Sequence, residues 1–208
     1  MNRRDAIGRV ALLMGGAVIG AEFFLSGCKP SGASGVDDLF TADNTAYLNQ
    51  VADTILPDTQ ASPGAKAANV GAFMAVMVRD CYTPADQKTF VAGLSNLNDA
   101  ATKKFNSKFM DLTSQQRTDL LIDLDKEQKA FTADRDKKLS ADAAKHKGEA
   151  NYKGPELPNH YFRQMKQLTL LGYFTSEIGA TKALRYIAVP GRYDGNVPYK
   201  KGDKAWAT

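Results

Sequence analysis

The sequence predicts an all-α protein: a single compact helical domain of about five to six helices that ends in an irregular arm. Three observations predict it. Apolar residues return every three or four positions through most of the chain, helix-start signals stand ahead of several of these stripes, and no stretch alternates polar and apolar side chains for long enough to make a strand.

Ahead of that domain, residues 1–27 read as an export leader of the twin-arginine lipoprotein type. Arg3 and Arg4, with Arg9, form a positive start, Ile7 follows, and Val10 to Ala21 is a weakly apolar run diluted by Gly15, Gly16 and Gly20. Leu25-Ser26-Gly27-Cys28 closes the run as a lipobox. It offers a thiol to take a diacylglyceryl group, small residues that let a peptidase reach the backbone, and a branched apolar side chain at Leu25. Residues 28–40 then read as a lipidated cysteine and a flexible tether rich in Pro, Ser, Gly and Ala, and residues 41–208 as the folded domain. Lys29, rather than an Asp, follows the cysteine, which favours the outer membrane, facing the periplasm.

The first helix carries Leu48, Val51, Ala52, Ile55 and Leu56 behind Thr41 or Asp43 as N-cap, and Pro57 ends it. Val70, Phe73, Met74, Met77, Val78 and Cys81 give the second stripe. The third opens on Thr83-Pro84-Ala85-Asp86, a cap with proline at the first helical position and a carboxylate at the positive end, and buries Phe90, Leu94, Leu97, Ala101 and Phe105. Thr113 and Gln116 form a capping box before Leu120, Leu121, Leu124 and Phe131. From Asp123 to Lys153 the chain is mostly charged or alanine, with Asp125/Lys129 and Asp134/Lys138 spaced to pair on a solvated helix face that grades into a loop. Asn159 is placed to cap the next helix, with Phe162, Met165, Leu168 and Leu171 inward, and a last short helix is expected over about Ser176 to Ile187.

Composition excludes several function classes. The chain holds 27 basic and 23 acidic residues, an excess too small and dispersed for nucleic acid. There is no Gly-x-Gly-x-x-Gly after a strand to hold a dinucleotide, no Cys-x-x-Cys-His for covalent haem, and the one cysteine expected beyond the lipidated Cys28, Cys81, cannot ligate an iron–sulfur cluster. His146 and His160, the only histidines, read as surface residues, although His160 near a helix start could face a partner. No carboxylate stands in an apolar setting suited to acid–base catalysis. No catalytic, cofactor-binding or metal-binding residue is assigned to this chain.

Two segments are unlike filler. In Leu168-Thr169-Leu170-Leu171-Gly172-Tyr173-Phe174-Thr175-Ser176-Glu177-Ile178-Gly179-Ala180, a glycine breaks one helix, two aromatics follow, and Thr175 or Ser176 caps the next with Glu177 against its dipole. In Val189-Pro190-Gly191-Arg192-Tyr193-Asp194-Gly195-Asn196-Val197-Pro198, proline and glycine alternate with large side chains of the kind found at interface hot spots. Gly172, Tyr173, Phe174, Thr175, Ser176, Glu177, Pro190, Gly191, Arg192 and Tyr193 are therefore the candidate partner-contacting residues. Cys81 reads as a small hydrophobe at the apolar edge of its helix, or as an odd thiol able to form an intersubunit disulfide.

Together with Ala52-Asp53-Thr54-Ile55-Leu56-Pro57 and with Thr59 and Ser62-Pro63-Gly64-Ala65, these segments resemble the gluconate 2-dehydrogenase subunit 3 family, from about Thr41 to Tyr199. The resemblance implies a small non-flavin subunit beside a catalytic flavoprotein of the glucose-methanol-choline type. That partner would hold FAD, oxidise a sugar, polyol or aldonic acid, and pass electrons onward, often to a c-type cytochrome. Members often carry a twin-arginine signal that their catalytic partner lacks. The expected function is thus a non-catalytic escort and membrane anchor, with Cys81 a candidate link to the flavoprotein. The alternative is a stand-alone, periplasm-facing helical lipoprotein that binds a ligand or envelope component.

Overall fold

The computed structural model describes residues 35–189, 191–192 and 195–207. Arg3, Arg4 and Cys28, on which the export and lipidation expectations rest, lie outside the described residues, as do Pro190 and Tyr193. The fold is all-α as expected. Five α-helices follow in order, α1 (Ala42–Ile55), α2 (Val70–Cys81), α3 (Pro84–Phe105), α4 (Ser114–Lys145) and α5 (Tyr161–Phe174). Short 3-10 turns cover Val36–Phe40 and Phe109–Asp111, and a π-helical turn covers Gly179–Ala183. The β-type pairing among the described residues is limited to two isolated bridges, Thr59 with Ser62 and Arg185 with Trp206.

Side chains set the helix starts. Thr41, Thr83 and Thr113 each accept at Oγ1 from the backbone N–H three residues on, at 3.3 Å in all three cases. Gln116 completes the expected capping box by accepting the Thr113 N–H at 2.9 Å. Each cap satisfies a backbone donor that the helix itself leaves without a partner. At α5 the expectation of Asn159 is corrected. His160 is the N-cap, accepting the Phe162 N–H at 3.2 Å, while Asn159 accepts from Arg135 and reaches Asp86 on α3 at 3.4 Å.

Turning inward to cap α5 also buries His160, which is 8% exposed rather than a surface residue. Its ring stacks on Tyr161, with centroids 4.6 Å apart, and meets the edge of Phe131 at 5.5 Å. His146 is likewise partly covered, stacked on Tyr152 at 3.7 Å.

The core is apolar and continuous through Leu48, Val51, Met74, Val78, Phe90, Leu97, Phe109, Phe162 and Met165. Burying each large side chain stabilises the fold by about 1.5–3 kcal/mol relative to leaving it in water. Helices α1 and α2 approach closely because position 71 is glycine: a Cβ there would stand 2.5 Å from the Thr45 carbonyl oxygen. Asn49 seals the crossing by accepting the Gly71 N–H at 2.7 Å.

Only the first half of α4 joins this core, through Leu120, Leu121, Leu124 and Gln128; Phe131, expected on the same stripe, is exposed. The expected pairs form along its surface, Lys129 with Asp125 and Lys138 with Asp134, both at 2.7 Å. Asp125 also receives Lys166 of α5 at 2.6 Å. Partial burial pushes its carboxyl upward, but hydrogen bonds from Lys129, Lys166 and Gln128 outweigh that and hold it at about 2.

Two inward assignments are corrected. Leu171 is exposed, because the buried stripe of α5 runs through Met165, Leu168, Thr169, Gly172 and Tyr173 and leaves position 171 outside it. Cys81 is also exposed, at the last residue of α2, where the stripe Val70, Met74 and Val78 has run out of neighbours. Its sulfur touches only the Met77 sulfur, at 3.9 Å, among the hydrogen-bond partners described.

Candidate partner interface

The α1–α2 connection folds back on itself. The Leu56 carbonyl accepts the Ala65 N–H at 2.9 Å, and the Thr59 N–H donates to the Ser62 carbonyl at 3.0 Å. Gly64 lies so close to the Asp58 N–H that a Cβ would stand 2.6 Å from it. This tight loop presents the Pro63 carbonyl, which accepts a hydrogen bond from the Tyr173 hydroxyl, 110 residues later in the chain. Three of the segments that the sequence singled out therefore form one junction: Ala52 to Pro57, Thr59 to Ala65, and Gly172 to Gly179.

Within that junction the residues divide by direction. Gly172 is buried against Phe73 of α2, where a Cβ would meet the ring at 2.5 Å. Tyr173 is buried as well. Ser176 donates to the Tyr173 carbonyl at 2.6 Å and accepts the Gly179 N–H at 3.0 Å, so the cap of the next turn is Ser176. Thr175 instead donates back to the Leu171 carbonyl at 2.7 Å, ending α5. Gly179 sits directly beneath the Tyr173 carbonyl, where a Cβ would collide.

The expected helix over Ser176 to Ile187 is correspondingly shorter. It widens into a π-helical turn, with the Leu184 N–H on the Gly179 carbonyl at 3.0 Å, and stops there. Phe174, Thr175 and Glu177 face outward, beside the exposed Leu170 and Leu171.

Beyond the π turn the chain leaves as a long loop whose ends are clasped. The Arg185 N–H donates to the Ala205 carbonyl and the Ala207 N–H to the Arg185 carbonyl, each at 2.8 Å. The Arg185 guanidinium lies over the Trp206 ring, 4.5 Å from its centroid. Lys204 donates to the Ala61 carbonyl at 3.2 Å and to the Lys182 carbonyl. The clasp thus grips the same tight turn that receives Tyr173, two residues away.

Of the arm residues named from sequence, Gly191 and Arg192 are exposed on this loop. Gly191 has φ of 71°, a left-handed conformation that suits glycine. Cys81 is not part of this region. It ends α2 eight residues beyond Phe73, about 12 Å along the helix.

The charge is not dispersed as the composition suggested. From residue 182 onward there are six basic and two acidic side chains, and this stretch alone accounts for the net +4 of the whole chain. Elsewhere, two open grooves of about 460 and 400 Å³ flank α4 and α5. Lys129 and Lys166 border both, but each is committed to Asp125. Among the described residues no group of His, Cys, Asp and Glu could hold a metal ion.

Sequence reasoning missed Lys204, Arg185 and Trp206, which build the clasp, and the outward apolar pair Leu170 and Leu171. The cationic and aromatic enrichment after residue 182 was the available signal for the first group.

No curated protein and no solved structure matches the chain. A family model described as gluconate 2-dehydrogenase subunit 3 matches residues 42–191, from the first residue of α1, through the junction, and into the first limb of the clasped loop. Resting on the whole helical body and on the turn to which its C-terminal loop is fastened, that match assigns the chain: it belongs to the gluconate 2-dehydrogenase subunit 3 family.

Proposed function

We propose that this chain is the non-catalytic small subunit of a membrane-anchored, FAD-dependent dehydrogenase. The family description names a subunit of a dehydrogenase, so a dehydrogenase partner is implied. In this reading the partner is a flavoprotein of the glucose-methanol-choline type that oxidises a sugar, polyol or aldonic acid and delivers electrons onward, with a c-type cytochrome as one acceptor. The FAD belongs to that partner. This chain escorts the loaded flavoprotein through twin-arginine export by Arg3 and Arg4. It then moors it by acyl chains on Cys28, facing the periplasm, with the outer membrane favoured by Lys29.

The family match over the folded body carries the proposal. The outward display of the clasped loop supports it, because a body that keeps its junction tyrosine and glycines for its own packing still offers large exposed side chains beside them. Affinity purification of the chain from native membranes in mild detergent tests the reading. A flavin-bearing dehydrogenase is expected in stoichiometric yield, and a chain that purifies alone overturns it. The export step is tested separately by Arg3→Lys with Arg4→Lys, which is expected to strand the dehydrogenase activity in the cytoplasm. Partner export unaffected by that change removes the escort role.

A further inference from the structure

We propose that the clasped C-terminal loop is a pre-shaped docking element that seats its exposed apolar side chains in an acidic-rimmed face of the dehydrogenase partner. The inference rests on the subunit reading above and deepens it by naming the chemistry of the partner's surface. Three independent features of the molecule lead to it.

The loop is long and irregular yet closed at its base. Between Arg185 and Trp206 the described residues hold no regular secondary structure, over a length that is uncommon in compact domains unless it serves a function. Its base is held by two backbone hydrogen bonds, a guanidinium stacked on an indole, and a lysine donating to carbonyls of two other segments. Restraining the base reduces the ordering cost that the loop would otherwise incur on binding.

What the loop displays is apolar and cationic. Val189 is 81% and Tyr199 74% exposed, and Tyr186 and Ile187 are exposed as well. Lys200 and Lys201 stand next to Tyr199 and are exposed. Large side chains left exposed by their own domain are suited to fill pockets on a partner, and the neighbouring cations favour carboxylates around those pockets.

The charge is segregated. The loop region holds the whole net positive charge, while the rest of the chain is balanced between acids and bases. Complementarity therefore selects an anionic surface for this face and no particular sign elsewhere. Of the anionic surfaces that fit, a folded protein is favoured over a lipid bilayer. A fluid bilayer gains little from a fixed loop shape, whereas a protein pocket requires one. In the sequence Asp194 and Asp203 stand between these cations, and Asp203 accepts the Lys200 N–H at 2.9 Å to hold a turn.

The test uses the whole complex purified in mild detergent, with partner affinity measured from about 0.05 to 0.5 M salt. Lys200→Glu with Lys201→Glu is expected to weaken partner affinity at least about tenfold at low salt, and the gap to wild type is expected to close as salt rises. The neutral pair Lys200→Gln with Lys201→Gln is expected to lose a smaller part, and Ile187→Ser with Val189→Ser to weaken binding at every salt concentration. Thermal melts of all three variants are expected to match wild type, since these side chains are exposed.

Equal partner retention by wild type and the charge-reversed variant overturns the inference and leaves the subunit reading standing. A wild-type chain that brings down no flavoprotein overturns the reading itself. Salt-sensitive binding of wild type to phosphatidylglycerol vesicles that the reversal abolishes, with partner affinity unchanged, assigns the face to lipid and overturns the inference as well.

Discussion

The junction at the end of α5 and the clasped loop behind it look alike as sequence and behave in opposite ways as structure. Both mix glycine with aromatic residues, and both are candidates for contact with a partner. In the junction the glycines admit neighbours and the tyrosine is spent internally: Phe73 fills the space over Gly172, and Tyr173 donates to Pro63. In the loop Tyr186, Ile187, Val189, Val197 and Tyr199 are exposed, while the base is tied by backbone hydrogen bonds. Aromatic and glycine content therefore marks a place where something must fit closely. Whether the neighbour is the protein's own chain or another one depends on what the fold has already placed there.

The largest expected effect breaks that comparison at its glycines. Gly179→Ala puts a methyl group against the Tyr173 carbonyl, where backbone must move, and is expected to cost roughly 3 kcal/mol or more, enough to lower the melting temperature sharply or abolish folding. Gly191→Ala, in the loop, meets open space and only the left-handed backbone opposes it, so it is expected to cost about 1–2 kcal/mol. Similar losses at the two positions would show that the loop is packed as tightly as the junction.

Next in size is Tyr173→Phe, which keeps the ring and removes the hydroxyl, leaving the Pro63 carbonyl without that donor. Urea denaturation is expected to report a loss of about 1–2 kcal/mol, with partner retention nearly unchanged. Loss of the partner without loss of stability would instead make this tyrosine an interface residue.

A smaller effect, in the helical body, sets a baseline for both regions. The Asp125 carboxyl is held at about 2, below its unfolded value, so its contribution is complete above about pH 4 and is lost as pH falls toward 2. Because the site is partly solvated, that contribution is about 1 kcal/mol. Asp125→Asn is expected to flatten the stability profile between pH 4 and pH 2 by that amount; a profile with the wild-type slope would mean that Lys166 and Lys129 do not lower this carboxyl.

Much of the body is legible in the chain because its rules are local. Thr41, Thr83 and Thr113 cap their helices as read, since a hydroxyl three residues from a free N–H needs nothing from elsewhere. The stripes Leu48/Val51/Ala52 and Phe90/Leu97/Ala101 are buried as read, because a helix has one apolar face and water excludes it. At helix ends and margins the reading fails. Leu171 and Cys81 obey the spacing, but burial at the edge of a stripe requires a neighbouring helix long enough to cover it. His160 displaces Asn159 as cap because Asn159 is drawn to Arg135 and Asp86, on two other helices.

The sequence by itself determined the helical class, the positions of most helices and the family, all of which depend on periodicity and on motifs read within a few residues. The tertiary structure alone decided that Tyr173 belongs to Pro63, that Arg185 and Trp206 close a loop, and that Tyr186 and Tyr199 between them are exposed. Those outcomes turn on which carbonyl or ring stands within about 3–5 Å of a side chain more than a hundred residues away in some cases, and no local pattern encodes a distance across the fold.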